Sequence, residues 1–159
     1  MTSPDPTVQD RLDALGIVLP GPYPPHDPLD AVVIHGGRAR TSGQLPRGHD
    51  GALVHPGVLG DEVDVEQGAE AARWCALNAL SVLQAELGDL DRIERVLTVL
   101  GFVASAPRFA QQPAVVDGAS RLLHEVFGAA GRHSRSAVGV AALPRGGAVE
   151  IEVEVALRS

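Results

Sequence analysis

The chain has 159 residues, 45% of them apolar and 21% charged, the profile of one soluble globular domain and too short for two ordinary ones. A formal net charge of −7 excludes a large duplex-DNA footprint, which clustered cations would carry. No apolar run approaches the ~20 residues of a membrane span, and Met1–Asp10, with two aspartates and no apolar core, is no signal peptide, so the cytoplasm is the expected compartment.

Residues 1–6 are expected to be disordered. Thr7 to Leu15 reads as a short amphipathic helix, with Val8, Leu12 and Leu15 on one face and Gly16 as its stop. Five prolines in the nine residues Pro20–Pro28 forbid helix and central strand, so this stretch reads as an extended linker. The domain boundary is placed there: 1–29 as N-terminal helix and linker, 30–159 as the main domain. Ala31–Ile34 and Arg38–Thr41 read as strands around a His35-Gly36-Gly37 turn, with Ala52–His55 as a third. Asp64 and Gln67 open a long helix in capping-box spacing, and Gly88 closes it. Its stripe of Ala72, Cys75, Ala76, Ala79, Leu80, Leu83 and Leu87 is rich in small residues, which suits close packing on a sheet. Trp74 falls at the edge of that stripe. Ile93–Ala104, apolar without strict alternation, reads as a strand buried on both faces. Pro107–Phe127 reads as a second long helix, with Pro113 as a possible kink. Arg135–Leu143 and Val149–Leu157 are two final strands, the last alternating Val149, Ile151, Val153, Val155 against Glu150, Glu152, Glu154.

The order ββ(β)αβαββ predicts an α/β two-layer sandwich, a mixed sheet with two long helices on one face. The other sheet face then needs a cover, and self-association supplies one.

Several chemistries are closed off. All thirteen Lys/Arg positions are arginine, which removes Schiff-base and Walker-A lysine chemistry. Cys75 is the single cysteine, so neither an internal disulfide nor a cysteine zinc site is available, and its place on an apolar stripe reads as core. The six histidines show no metal-ligand spacing, so no metal site is expected. Three spots stay open. Arg135, at a strand start, fits either a carboxylate clamp or a surface ion pair. Glu150, fifteen positions on and on the strand expected to pair with that of Arg135, fits either a general base or a charged outer face. Ser42-Gly43 fits either a turn or a close backbone approach to a ligand.

Taken together, the segments resemble the YjgF/RidA family. Arg135-Ser136-Ala137-Val138-Gly139-Val140-Ala141-Ala142-Leu143-Pro144 followed by Val149-Glu150-Ile151-Glu152 matches its C-terminal signature, and Ser42-Gly43-Gln44-Leu45-Pro46 its N-terminal one. The resemblance runs from about Ala31 to Ala156, and the extended N-terminus looks like one branch of the family. It implies a chorismate-mutase-like fold, a homotrimer with sites in the clefts between subunits, and cofactor-independent hydrolysis of enamines and imines to 2-oxo acids and ammonia. The partners it implies are a small carboxylate-bearing imine or enamine and two further copies of the chain, with no nucleic acid and no membrane. The family's arginine maps to Arg135, its water-orienting glutamate to Glu150, and its substrate-binding positions to Ser42, Gly43 and Ala137. Two places depart from the pattern. Ala137 stands where many members carry cysteine, and Asp30 stands near their tyrosine, a place Tyr23 can take only if the linker folds back. Two other readings stay beside hydrolysis: a specialised biosynthetic hydrolase or tautomerase, and a non-catalytic small-molecule-binding trimer.

Overall fold

The computed structural model describes Ser3–Pro25 and Asp27–Ser159. Met1 and Thr2, part of the 1–6 stretch expected to be disordered, and His26 of the proline-rich linker lie outside the described residues. A helix α1 (Val8–Ala14) leads through the proline-rich stretch to strands β1 (Val32–His35) and β2 (Arg38–Thr41). Then come helix α2 (Val65–Leu87), strand β3 (Ile93–Ala104), helix α3 (Gln112–Phe127), and strands β4 (Ser134–Val140) and β5 (Val149–Leu157). The strands form one mixed sheet in the order β1-β2-β5-β3-β4, with β4 parallel to β3 and every other pair antiparallel. This is the α/β architecture expected, with both long helices on one face of the sheet.

Local chemistry accounts for the helix ends. Thr7 and Asp10 form a capping box at α1, and Asp64 and Gln67 another at α2, whose two hydrogen bonds are 2.8 and 3.1 Å. Alternation decides the faces of β5. Val149, Ile151, Val153 and Val155 are buried against the helices, and the glutamates between them point the other way. Helix α2 is buried well beyond its predicted stripe, at Ala71, Leu77, Asn78, Ser81 and Val82 as well. It has the sheet beneath it and α3 along one side, and the Ser81 hydroxyl donates to the Pro20 carbonyl of the linker. Cys75 is fully buried and its thiol donates to the Val149 carbonyl at 3.4 Å. Burial, and secondarily the charge of Glu150, push that thiol well above its ordinary pKa, so Cys75 is a core residue.

Five expectations change. Ala52–His55 forms no strand beyond a single Arg47–Leu53 bridge, because Gly51 and His55 both take positive φ (83° and 48°) and break the extended run. Helix α3 starts at Gln112 rather than Pro107, since Arg108 sits at φ 72°. Pro113 then lies in the first turn, where its missing N–H is no loss and no kink is needed. Strand β4 runs from Ser134 to Val140 and stops at the end of its one partner, Ala104 pairing with Val140. Strands β4 and β5 do not pair, because β3 lies between them and hydrogen-bonds to both. Strand β3 is not buried on both faces within the chain. Val96, Val99 and Val103 lie under the helices, while Leu100 and Phe102 on the other side are half-buried.

That other face mixes apolar and charged groups. Val138 and Val33 are exposed, and ion pairs Arg40–Glu152 (2.8 Å) and Arg38–Glu154 (3.6 Å) cross it. Among the described residues no helix is long and apolar enough to cross a membrane.

The tightest contact in the helical layer is between α2 and α3. A Cβ added at Gly118 would come within 1.9 Å of the Ala69 carbonyl oxygen, and backbone cannot move aside as a side chain can. Gly118→Ala is expected to destabilise the fold by about 3 kcal/mol or more, at or above the top of the usual overpacking range. Thermal and urea unfolding followed by circular dichroism measure it; an unchanged midpoint would refute the close packing.

Candidate active site

The segment after β2 does not leave the sheet at Thr41. The Gln44 amide donates to the Ile151 carbonyl (2.9 Å) and the Ile151 amide donates back to Gln44 (3.1 Å), so Ser42–Gln44 lies along β5. This places Gly43 against Glu150. A Cβ at position 43 would be 2.8 Å from the Glu150 carboxyl carbon, and only glycine leaves that carboxylate its place. Ser42 is fixed by its hydroxyl, which donates to the Asp30 carbonyl at 2.6 Å, and by its amide, which donates to Ala31 at 2.8 Å.

Glu150 is half-buried, and desolvation, then the neighbouring Glu152, push its carboxyl above the ordinary glutamate range. It opens onto a cleft of about 310 Å³ lined also by Ser42, Gly43, Arg47, Arg145 and Tyr23. The linker has folded back over the domain. The Tyr23 hydroxyl donates to the Gly48 carbonyl at 2.8 Å, and the Arg47 guanidinium lies 5.1 Å over its ring. The fold-back that Tyr23 required in order to reach the cleft is present, and its ring lines the wall.

Arg135 is elsewhere. It pairs in register with Val99 and faces the helices, whereas Glu150 pairs with Phe102 and faces the open side. The two lie on opposite faces of the sheet with β3 between their strands, so one chain does not bring them together. The Arg135 Nη1 donates to Asp117 (2.8 Å) and to the Ser120 hydroxyl (3.1 Å), and Nη2 donates to the Pro113 carbonyl (3.3 Å). Having accepted from Arg135, Ser120 keeps its own proton for His133 Nε2 at 2.9 Å, and His133 then donates from Nδ1 to the Gly131 carbonyl at 2.6 Å. Burial pushes His133 below its ordinary value; the Gly131 hydrogen bond opposes this and the Arg135 charge adds to it. The neutral imidazole that results fits this chain of donors. These groups line a second groove, of about 440 Å³. Ala137 lies two residues along β4 on the Arg135 side, half-buried against the core.

The five residues singled out from sequence thus form two sets, Ser42, Gly43 and Glu150 in one cleft, Arg135 and Ala137 at the edge strand. Sequence reasoning missed Arg47, Arg145 and the Asp117–Ser120–His133 group. A signal for the arginines was present: Leu-Pro-Arg-Gly occurs at 45–48 and again at 143–146, and the fold brings both copies to the Glu150 cleft. Nothing in the spacing marked Asp117 and Ser120. Among the described residues no three His, Cys, Asp or Glu side chains are grouped to hold a metal.

The comparisons agree with this architecture. The model of the family described as "YjgF/chorismate mutase-like, putative endoribonuclease" matches residues 9–150. Protein TCP17 of Trypanosoma cruzi is 45% identical over 153 residues, covering 96% of this chain and 95% of that protein. Among solved structures, a protein of unknown function from Agrobacterium tumefaciens is 40% identical with a TM-score of 0.88, covering 96% of this chain and 94% of its own. A "putative endoribonuclease" from Shewanella oneidensis MR-1 is 33% identical with a TM-score of 0.91, over 95% of this chain and 99% of its own. TdcF of E. coli with bound serine shares the fold at 22% identity and a TM-score of 0.61, over 89% of this chain and 98% of its own. On these matches, with a sheet and helices of the same arrangement and both signature segments in place, the chain belongs to the YjgF/chorismate mutase-like family.

Proposed function

We propose that the protein hydrolyses small 2-imino acids, or the enamines that tautomerise to them, to 2-oxo acids and ammonia, in clefts completed between the subunits of a homotrimer. The observation that carries this reading is Glu150: a half-buried carboxyl, raised in pKa, held against a glycine gap in the wall of a cleft. A carboxyl moved toward neutrality is a better general base than an ordinary one. Glu150 takes a proton from water as the oxygen adds to the imine carbon. That proton passes to the imine nitrogen to give a neutral carbinolamine; as this collapses, its hydroxyl proton also reaches the nitrogen, the C=O forms, the C–N bond breaks and ammonia leaves, with Glu150 ionised again.

Arg135 supplies the anchor, from a second copy of the chain. Its Nη1 is occupied by Asp117 and Ser120, and Nε makes no hydrogen bond among the described residues. Nη2 gives one hydrogen to the Pro113 carbonyl at 3.3 Å; its second hydrogen and that of Nε can offer a substrate carboxylate two hydrogen bonds, which fixes the position of the C=N carbon. Opposite placement of Arg135 and Glu150 within one chain supports a site shared between copies, and so does the half-buried Leu100 and Phe102 on the uncovered sheet face. The serine in TdcF, an amine and a carboxylate on one carbon, has the chemistry of such a substrate.

Light scattering at micromolar concentration is expected to give the mass of three chains; a monomer would refute the shared cleft. Ammonia release from freshly generated 2-iminopropanoate or 2-iminobutanoate is expected for the wild type. Loss of a charge-assisted anchor costs ~2–5 kcal/mol, so Arg135→Ala should lower kcat/KM roughly 30-fold or more with the trimer intact. Equal turnover by Arg135→Ala would remove the anchoring role, and no turnover of either imine by the wild type would remove small monocarboxylic imines as its substrates.

Glu150 has a separate signature in pH. Its folded-state pKa is raised, so the folded protein holds that proton more tightly than the unfolded chain. Stability from this source is present below the ordinary glutamate pKa and is lost as pH rises through the folded value. Glu150→Gln, which cannot ionise, should be at least as stable as wild type at pH 7, lose that relative gain below pH ~4, and lower kcat by roughly 100-fold or more. Unfolding midpoints across pH and the ammonia assay read both; a variant less stable than wild type at pH 7 would contradict the desolvation of Glu150.

A further inference from the structure

The Glu150 cleft carries more positive charge than hydrolysis of a simple imine requires. Two arginines line it, Arg47 and Arg145, against one carboxylate, Glu150. With Glu150 ionised the lining is net positive, in a chain of net charge −7. Neither arginine makes an ion pair among the described residues. The carboxyl of Glu150 is raised by burial and by Glu152, and no cation draws it back down, so the guanidinium groups are not spent on it.

Both arginines are held in place. The buried Asn78 donates to the Arg47 carbonyl at 2.8 Å, and the guanidinium lies over a Tyr23 ring that is itself tethered to Gly48. Over that ring the Arg47 guanidinium makes no hydrogen bond among the described residues, so its N–H donors are free for an anion. Arg145 sits at φ 58° in the tight Pro144–Gly146 turn, which the Gly57 amide clamps by donating to the Gly146 carbonyl at 2.9 Å. A non-glycine residue in that conformation is uncommon, and at a cleft wall it aims a side chain.

We propose that Arg47 and Arg145 form a subsite for a second anionic group, so that the substrate is a dicarboxylic 2-imino acid with an acidic side chain. This rests on the hydrolase reading for the reacting end. The 2-carboxylate belongs to Arg135 of a second copy, the imine carbon to Glu150 and its water, and the side-chain carboxylate to Arg47 and Arg145.

Product-like 2-oxo acids test this without turnover. Isothermal titration of the full chain with 2-oxoglutarate and with 2-oxobutanoate should show the dicarboxylate binding about tenfold tighter or better, the gain from one more charge-assisted pair. That advantage should shrink with added salt. Arg145→Gln, at an exposed position, should reduce it several-fold, and Arg47→Gln with Arg145→Gln should abolish it, 2-oxoglutarate losing at least about tenfold more affinity than 2-oxobutanoate. Equal binding of the two ligands, binding of neither, or an advantage that survives the double variant would overturn the proposal. Should the double variant melt early, Arg145→Gln alone still decides, since an undiminished advantage there removes Arg145 from the subsite. A wild type that releases no ammonia from freshly generated 2-iminoglutarate yet keeps the dicarboxylate preference would refute the hydrolase reading and leave the subsite standing.

Discussion

Along β5 every second residue has to face α2, and that requirement organises the site. Burying Val149, Ile151, Val153 and Val155 turns Glu150, Glu152 and Glu154 to the side the helices do not cover. Glu152 and Glu154 find arginines on β2 there. Glu150, at the end where the chain after β2 continues along β5, meets Gly43 instead. One carboxylate of three is thus left without an ion pair among the described residues and partly out of water, by strand geometry.

The same alternation sends Arg135 the other way. On an edge strand its side chain reaches over α3, and Asp117 and Ser120 take one end of the guanidinium. Neutralising part of that charge within the chain keeps an arginine at a half-exposed edge from being an isolated cation, and it fixes which N–H groups remain available. A sheet with helices on one face only has two kinds of boundary, an uncovered face and an edge. The two motif residues sit one on each.

Much of this was legible in the sequence. Helix ends with capping boxes and terminal glycines and the alternating β5 carry local signals that place elements, while Ser42, Gly43, Arg135, Ala137 and Glu150 are singled out by the family resemblance of segments 42–46 and 135–152, their local spacing leaving each role open. What failed was nonlocal. Ala52–His55 has strand composition but backbone angles that interrupt it. The short Pro144–Gly146 turn looks like a hairpin connecting neighbours, yet it passes the end of β3, whose long apolar run pairs on both edges. Periodicity says which residues share a face of one strand; it does not say which strand lies next door. Arg47 and Arg145, 98 positions apart in sequence, meet only because β2 and β5 are neighbours.

The proline-rich stretch supplies Tyr23, Pro24 and Pro25 to the cleft and contributes no strand to the sheet. Its anchors are a hydroxyl from α2 at Pro20 and a carbonyl at Gly48. Prolines make such a segment cheap to order, since the unfolded chain is already stiff there. The outer wall of the cleft and the pairing of the strands are therefore written in separate parts of the chain. Changes in the length or composition of residues 20–28 reshape what the cleft admits without disturbing a single ladder hydrogen bond.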